Sequence, residues 1–150
     1  MARQIEVRLK GTSEGVVATL LDDAGEYADR LWDELNNPVD MWTVQTVSTG
    51  DWFTGIGRLD PDPQATGTQA APLGRSLLMC DVEQGSIEYG GHRNLGFAYG
   101  PDITEPLPTH GPVVARADDL SAFYAFGSRV CDSHFKSHEL AVITVSRKDA

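Results

Sequence analysis

The stretch that decides the fold is IEVRLKGTSEGVVATLLDDAGEYADRLWDEL, residues Ile5 to Leu35. Apolar and charged residues alternate from Ile5 to Leu9, which is the period-two pattern of a half-buried strand. Gly11 to Gly15 supplies a turn and Val16 to Leu21 a second strand, so a β-hairpin is predicted to open the chain. Between Ala24 and Leu35 the apolar residues recur at steps of three and four, which predicts a helix with one apolar face.

The rest of the chain is predicted to be mainly β, with one more helix. Strands are predicted at 41–49, 52–59, 76–82, 86–89, 94–99, 112–117 and 140–146. The turn between the first two is assigned to Gly50-Asp51. The strand over 94–99 is expected to end at Gly100-Pro101, because proline lacks an N–H. The stretch DDLSAFYAF, Asp118 to Phe126, predicts a short helix that ends at Gly127.

These elements favour a mainly β fold. About eight strands joined mostly by short turns tend to close into a barrel, which leaves no exposed edge. The two helices are expected to cap the open ends of this barrel. A chain of 150 residues without a visible linker or repeat predicts one domain over 1–150. A parallel α/β sheet is the alternative, but only two helices are available as crossovers.

The composition limits the classes of partner. The 12 basic and 22 acidic residues give a net charge of −10, which repels phosphate backbones, so nucleic acid is not an expected partner. No apolar run approaches the roughly 20 residues needed to cross a membrane. The N-terminus alternates from its start, unlike a signal peptide, so a cytoplasmic location is expected. Cys80 and Cys131 lack metal-site spacing and are expected to be reduced and buried.

A longer segment carries a resemblance to a known family. The segment GSIEYGGHRNLGFAYGPDITEPLPTHGPVVARADDL, Gly85 to Leu120, and the strand–turn–strand–helix opening together resemble the cyclophilin-like fold. Within that fold the chain resembles the small bacterial proteins related to cucumopine synthase, and residues 85–120 carry the specific match. The motif of the prolyl isomerases of this fold is absent, since the strand after the first helix reads MWTVQTV. Isomerase activity is therefore not implied.

The resemblance implies an enzyme that condenses an amino compound with an α-keto acid by a Pictet–Spengler ring closure. In cucumopine synthase the amine of histidine and the ketone of 2-oxoglutarate form an imine, which an imidazole carbon then attacks. This chemistry implies a small-molecule substrate and no redox cofactor or metal, and it requires a carboxylate pocket, an acid and a base. A homo-oligomer is possible by fold analogy. The alternatives are a non-catalytic small-molecule binding protein on the same barrel face, or a small hydrolase or lyase.

Three residues of the proline-rich stretch FAYGPDITEPLPTH, Phe97 to His110, are candidate catalytic groups. Glu105 lies in the segment most like the family and is the first candidate for acid–base catalysis, although a carboxylate that caps local N–H groups is an equal alternative. The hydroxyl of Tyr99 could assist at the barrel mouth, or the residue could be a buried structural tyrosine. His110 could act as a base near neutral pH, or lie in a rigid surface connection.

Six residues are candidate substrate contacts: Arg93, His92, Trp42, Trp52, Phe97 and Thr104. The guanidinium of Arg93 suits a carboxylate, and His92 lies beside it in the sequence, although both could be solvated turn residues. Trp42 and Trp52 are expected on facing strands, where they would line an aromatic pocket unless they are core residues. The 60–74 loop is long enough to be functional.

Two further features are expected to carry no chemistry. His134 and His138 are four residues apart, but no acidic third ligand has matching spacing and the segment precedes a strand, so no metal is expected. Cys80 is not expected to act as a nucleophile, because the run SLLMCDV predicts a buried strand and a thiol in apolar surroundings is inert.

Overall fold

The structure is a computed structural model that describes residues 2–45, 48–57, 78–90, 94–106, 109 and 111–148. The described residues form eight strands and two α-helices, which are β1 (Gln4–Leu9), β2 (Gly15–Leu20), α1 (Glu26–Glu34), β3 (Val39–Val44), β4 (Gly50–Ile56), β5 (Ser86–Tyr89), β6 (Asn94–Ile103), β7 (Val113–Ala117), α2 (Leu120–Phe135) and β8 (Val142–Arg147). Two short 3₁₀ turns, Asp22–Ala24 and Met79–Asp81, accompany them.

The eight strands close into an antiparallel barrel in the order β1-β2-β7-β5-β6-β4-β3-β8. The last strand completes the closure, because β8 pairs with β1 on one side and with β3 on the other. The opening hairpin forms as predicted, with Gln4 opposite Thr19 and Arg8 opposite Gly15. The predicted mainly β barrel is therefore confirmed.

The two helices cover opposite ends of the barrel, as predicted. Helix α1 leads from the end of β2 to the start of β3, and α2 leads from the end of β7 to the start of β8. Because β2 and β7 are antiparallel neighbours, their last residues lie at opposite ends of the barrel. Leu31 of α1 and Phe123 of α2 are buried in the same core cluster as the inward residues of the strands. Within the described residues, neither helix is long and apolar enough to cross a membrane.

Strand β6 shows how the barrel wall separates the interior from the outer face. Leu95, Phe97 and Tyr99 belong to the main core inside the barrel. Ala98 points the other way, because successive side chains of a strand alternate between faces. It belongs to a second apolar group, here called the outer cluster, made of Trp52, Met79, Val82, Ala98 and Ile103. Part of the outer face of the barrel is therefore buried as well.

The strand predicted at 76–82 is wrong over the part of it that the structure describes, 78–82. Met79–Asp81 forms a 3₁₀ turn instead. Met79 is buried in the outer cluster, whereas Leu78 and Cys80 are exposed. Met79 and Val82 of this apolar run pack in the outer cluster, so the run is anchored to the barrel without forming a strand. The expected burial of Cys80 is wrong for the same reason, while Cys131 is half-buried.

Two predicted strand ends are wrong because long-range pairing sets them. Strand β4 begins at Gly50, so Gly50-Asp51 lies in the strand and not in the turn before it. Gly50 has φ of +94°, and a Cβ there would lie 2.0 Å from the carbonyl oxygen of Asp102. Strand β6 runs through Pro101 to Ile103. The register between β4 and β6 shifts over this stretch, so no ladder hydrogen bond from position 101 is needed.

Helix α2 continues through Gly127 to Phe135, so the predicted helix end at Gly127 is wrong. A Cβ at position 127 would lie 2.0 Å from Cγ of Tyr99. The glycine therefore allows the helix to pack closely on the barrel, and it does not end the helix.

Candidate active site

The candidate residues that the structure describes do not form a single cluster. Phe97 is fully buried inside the barrel, where its ring stacks on Phe53 with the ring centroids 4.4 Å apart. Tyr99 lies in the same interior, under helix α2. Thr104 and Glu105 follow β6 and contact the connection between β3 and β4. His92, Arg93 and His110 lie outside the described residues.

Tyr99 is a buried tyrosine with a polar end. Its ring packs against Gly127 and Tyr124 of α2, and its hydroxyl accepts a hydrogen bond from Nε2 of Gln45 at 3.2 Å. Burial raises the pKa of Tyr99 above its usual range, and the nearby thiol of Cys131 adds to the shift. The hydroxyl therefore keeps its proton at neutral pH, in surroundings that fit the structural alternative.

Glu105 is half-buried and bonded to hydroxyl groups. Its Oε2 accepts a hydrogen bond from Oγ1 of Thr49 at 3.1 Å, with Oγ of Ser48 at 3.5 Å. Its carbonyl oxygen accepts from the N–H of Cys80 at 3.0 Å, and the exposed Thr104 donates from Oγ1 to the carbonyl oxygen of Ser48 at 3.2 Å. These contacts fasten the segment after β6 to the connection between β3 and β4.

Trp42 and Trp52 lie on the paired strands β3 and β4, as predicted, but the register does not place them opposite each other. Trp42 lies opposite Ile56, and its side chain is exposed. Trp52 lies opposite Ala98, and it is buried in the outer cluster. Trp52 therefore belongs to the outer face next to β6, without Trp42.

Glu88 has the most unusual surroundings of the carboxyl groups in the described part of the chain, and the sequence pattern did not single it out. It lies on the outer face of β5 and is 1% exposed. Neither of its carboxyl oxygens has a hydrogen-bond partner among the described residues. Burial raises the pKa of Glu88 from its ordinary 4.5 to about 9. This carboxyl therefore holds its proton at neutral pH.

The neighbours of Glu88 explain its surroundings. Strand β5 lies between β6 and β7, where Glu88 is opposite Gly96 on one side and Val113 on the other. The ring of Trp52 covers Gly96, since a Cβ there would lie 2.5 Å from Cζ2 of the indole. The carboxyl and the indole ring thus occupy adjacent positions on one face. The basic residue on the adjoining strand, Arg116, is bound to Ser86 and Glu83.

This arrangement resembles a well-known way to make a general acid. A carboxyl group in an apolar pocket beside a tryptophan ring keeps its proton at neutral pH and can donate it to a leaving group. Once ionised in such surroundings, the same carboxylate is a strong base. Glu88 can therefore serve proton transfer in both directions.

The sequence pattern missed Glu88 because local alternation suggests the opposite. In SIEY the apolar Ile87 and Tyr89 flank Glu88, which is typical of a solvent-facing residue on a half-buried strand. The signal that could have identified Glu88 is its long-range pairing. Gly96, opposite Glu88 on β6, has no side chain, so the neighbouring position is free for another group. Only the closed barrel brings Gly96 and Trp52 to that position.

The two histidines at 134 and 138 do not lie in the same helix. His134 lies in α2 with its Nε2 2.8 Å from Oγ1 of Thr43, whereas His138 follows the helix with φ of 56°. No group of three or more His, Cys, Asp or Glu side chains suited to a metal occurs among the described residues.

No protein-family model and no curated protein matches the chain. Among solved structures, the chain is similar to the structure of McbB in complex with tryptophan, with a TM-score of 0.76 and 21% sequence identity. The match covers 97% of this chain and 45% of McbB, so the chain spans less than half the length of that protein. This likeness shows a shared fold over nearly the whole of the present chain.

Proposed function

We propose that the chain is a cofactor-independent enzyme that condenses an amino compound with an α-keto acid or another carbonyl compound, with Glu88 as its general acid and base. The amino compound is an aryl-ethylamine or is histidine-like, and ring closure follows the Pictet–Spengler course. The observation that carries the proposal is the buried carboxyl of Glu88, without a hydrogen-bond partner among the described residues and adjacent to the ring of Trp52.

The described residues give this carboxyl no structural hydrogen bond. A buried polar group without a partner destabilises the fold, typically by about 1–3 kcal/mol. Such groups are rare in folded proteins, and strongly shifted carboxyl groups are concentrated in functional sites. Glu88 makes no side-chain hydrogen bond that would hold the described strands together. A role in proton transfer gives a reason for its presence.

The chemistry requires two proton transfers that one carboxyl group can perform. The amine adds to the carbonyl carbon to give a carbinolamine. The protonated Glu88 donates its proton to the leaving hydroxyl, which departs as water and leaves an iminium ion beside the new carboxylate. A nucleophilic carbon of the aromatic ring attacks the iminium carbon, and the carboxylate then takes the ring proton. The product has the summed masses of both substrates less one water.

The likeness to McbB is consistent with an aromatic amine as substrate. McbB was solved with tryptophan, which carries an amino group two carbons from an aromatic ring. In the present chain the Trp52 ring offers an apolar surface next to Glu88. Because the chain spans less than half of McbB, the identity of the aromatic amine is part of the proposal.

The other candidate residues take secondary roles in this proposal. Arg93 is proposed to bind the carboxylate of the keto acid, with His92 beside it, and His110 to act as a second base. Glu105 is the alternative acid–base group. Its bonds to Thr49 and Ser48 and the buried position of Tyr99 make these two weaker candidates than Glu88.

A non-catalytic binding protein is the second candidate function. The same buried carboxyl could bind an amine without any reaction, and the described residues include no established catalytic motif. This candidate predicts that an amine stabilises the fold without any product.

Incubation with pairs of substrates separates the two candidates. Tryptamine, tryptophan and histidine are each combined with pyruvate, 2-oxoglutarate or an aldehyde, and products are detected by mass spectrometry. We expect a product at the summed masses less one water, in excess over the reaction without protein. A rise of the melting temperature with an amine but no product from any pair would contradict the enzyme and support the binding protein.

A further inference from the structure

Asn94 is a second polar residue on the outer face whose acceptor has no partner. Its Oδ1 is buried and makes no hydrogen bond with any of the described residues. Asn94 lies two positions before Gly96 on β6, and Glu88 lies opposite Gly96 on β5. The two side chains are therefore diagonal neighbours on one face. Such positions are about 7–8 Å apart, within reach of long side chains.

Once Glu88 is ionised, the two residues together present three acceptor oxygens without a donor among the described residues. These are the two carboxyl oxygens of Glu88 and Oδ1 of Asn94. Buried acceptors are almost always paired in folded proteins, so this set calls for a ligand with several N–H donors. A primary ammonium group carries three. A metal ion is a poorer match, since the described residues hold no suitable group of three ligands.

We propose that Asn94 and Glu88 bind the amino group of the substrate as an ammonium ion, with the hydrocarbon part of the amine against the ring of Trp52. The inference rests on the proposed function and names the atoms that recognise the amine. Asn94 is half-buried and Glu88 is fully buried. Asn94 is therefore the more exposed member of the pair.

Binding of an ammonium ion beside Glu88 should be accompanied by the release of a proton. Free Glu88 is neutral at pH 7, and an ammonium ion favours its ionised form, so binding releases one proton from the carboxyl to solvent. The carboxylate can then take a proton back from the ammonium, which frees the amine lone pair for attack and restores the acid.

The described residues of the neighbouring strands supply no other group for this titration. The outward residues of β4 and β6 next to Glu88 are Trp52, Thr54, Gly96 and Ala98, and none of them titrates near neutral pH. On β7 the outward basic residue is Arg116, which is bound to Ser86 and Glu83.

Isothermal titration calorimetry with tryptamine and tryptophol tests the inference. The two probes share the indole ring and the two-carbon chain, but tryptophol carries a hydroxyl in place of the ammonium. Titrations at pH 7 in buffers of different ionisation enthalpy count the protons released. We expect wild-type protein to release about one proton with tryptamine and none with tryptophol, by the linkage of binding to ionisation. Glu88→Gln should release none with either probe.

The variant Asn94→Leu removes the acceptor and keeps the number and branching of the side-chain heavy atoms. It should weaken tryptamine binding about 10-fold or more, the scale of a lost hydrogen bond to a charged group, and leave tryptophol binding unchanged. Asn94→Asp keeps an acceptor oxygen and should restore tryptamine binding. Gln4→Leu on β1, which is separated from β5 by β2 and β7, is the control for exchange of an amide.

Three results would overturn the inference: no binding of tryptamine by wild-type protein, tryptamine binding without proton release, or an Asn94→Leu variant that binds tryptamine like wild type. These results are separable from the fate of the proposed function. Asn94-dependent amine binding without a condensation product would keep the inference and overturn the enzyme. Condensation by wild-type protein, together with unchanged amine binding in Asn94→Leu, would keep the enzyme and overturn the inference.

Discussion

At the scale of single residues, the proton on Glu88 links the stability of the fold to pH. Below pH 4.5 the carboxyl is protonated in both the folded and the unfolded chain, so its contribution to stability is fully present. Between 4.5 and about 9 the unfolded chain loses the proton while the folded chain keeps it. Unfolding then releases a proton, and the free energy of unfolding falls as pH rises, by up to about 1.4 kcal/mol per pH unit.

The variant Glu88→Gln should remove this pH dependence. Glutamine has nearly the same shape and no titrating proton, so the variant should gain stability relative to wild type as pH rises from 5 to 9. Urea unfolding of both proteins at four or five pH values in this range measures the difference in free energy. A difference in the free energy of unfolding between variant and wild type that stays constant from pH 5 to 9 would contradict the raised pKa of Glu88.

At the scale of elements, helix α2 depends on a glycine that its own propensity disfavours. Alanine in a helix interior is more favourable than glycine by about 1 kcal/mol. Packing opposes this preference at position 127, where an added methyl group would lie 2.0 Å from the ring of Tyr99. Tyr99 is buried between the helix and the barrel, so neither the ring nor the helix can move freely. We therefore expect the cost of overpacking to exceed the gain in helix propensity.

Gly127→Ala should therefore lower the free energy of unfolding by about 1–3 kcal/mol, the usual range for an overpacked core. In a Tyr99→Ala background the same change should be neutral or stabilising, because the ring that opposes it is gone. Ala125→Gly, at an exposed position of the same helix, measures the propensity alone. A Gly127→Ala variant more stable than wild type would show that the helix does not approach Tyr99 this closely.

The elements that the sequence predicts well are those with local patterns. The hairpin over β1 and β2 and helix α1 follow from a single change of period, and the structure has them within about two residues of the predicted bounds. Gly127, Gly50 and Gly100-Pro101 were misinterpreted as ends and turns. Gly127 and Gly50 serve close approaches to distant backbone or side chains, and position 101 lies where a register shifts. Such contacts leave no local pattern.

At the scale of the whole molecule, the barrel explains why the site was predicted only in part. Its closure followed from the number of strands and the short turns between them. The outer cluster did not, because it joins Trp52, Met79 and Ala98 across three separate segments. Glu88 is likewise buried by residues distant in the sequence, on β4, β6 and β7. The sequence therefore indicated a working surface on the barrel wall but favoured Glu105, which stands out in the local proline-rich pattern of residues 97–110.

The proposed role of Glu88, on the outer face of the barrel, is to transfer the protons of a condensation reaction. Its most direct test is the turnover of Glu88→Gln beside that of Glu105→Gln, with an amine and carbonyl pair that wild-type protein condenses. Both changes replace a carboxyl by an amide, and melting temperatures show whether each variant is folded. We expect Glu88→Gln to lose about 10²-fold or more in kcat, the scale of general acid–base catalysis, and Glu105→Gln to stay close to wild type. Full turnover by Glu88→Gln together with a large loss in Glu105→Gln would contradict the claim and move the acid–base role to Glu105.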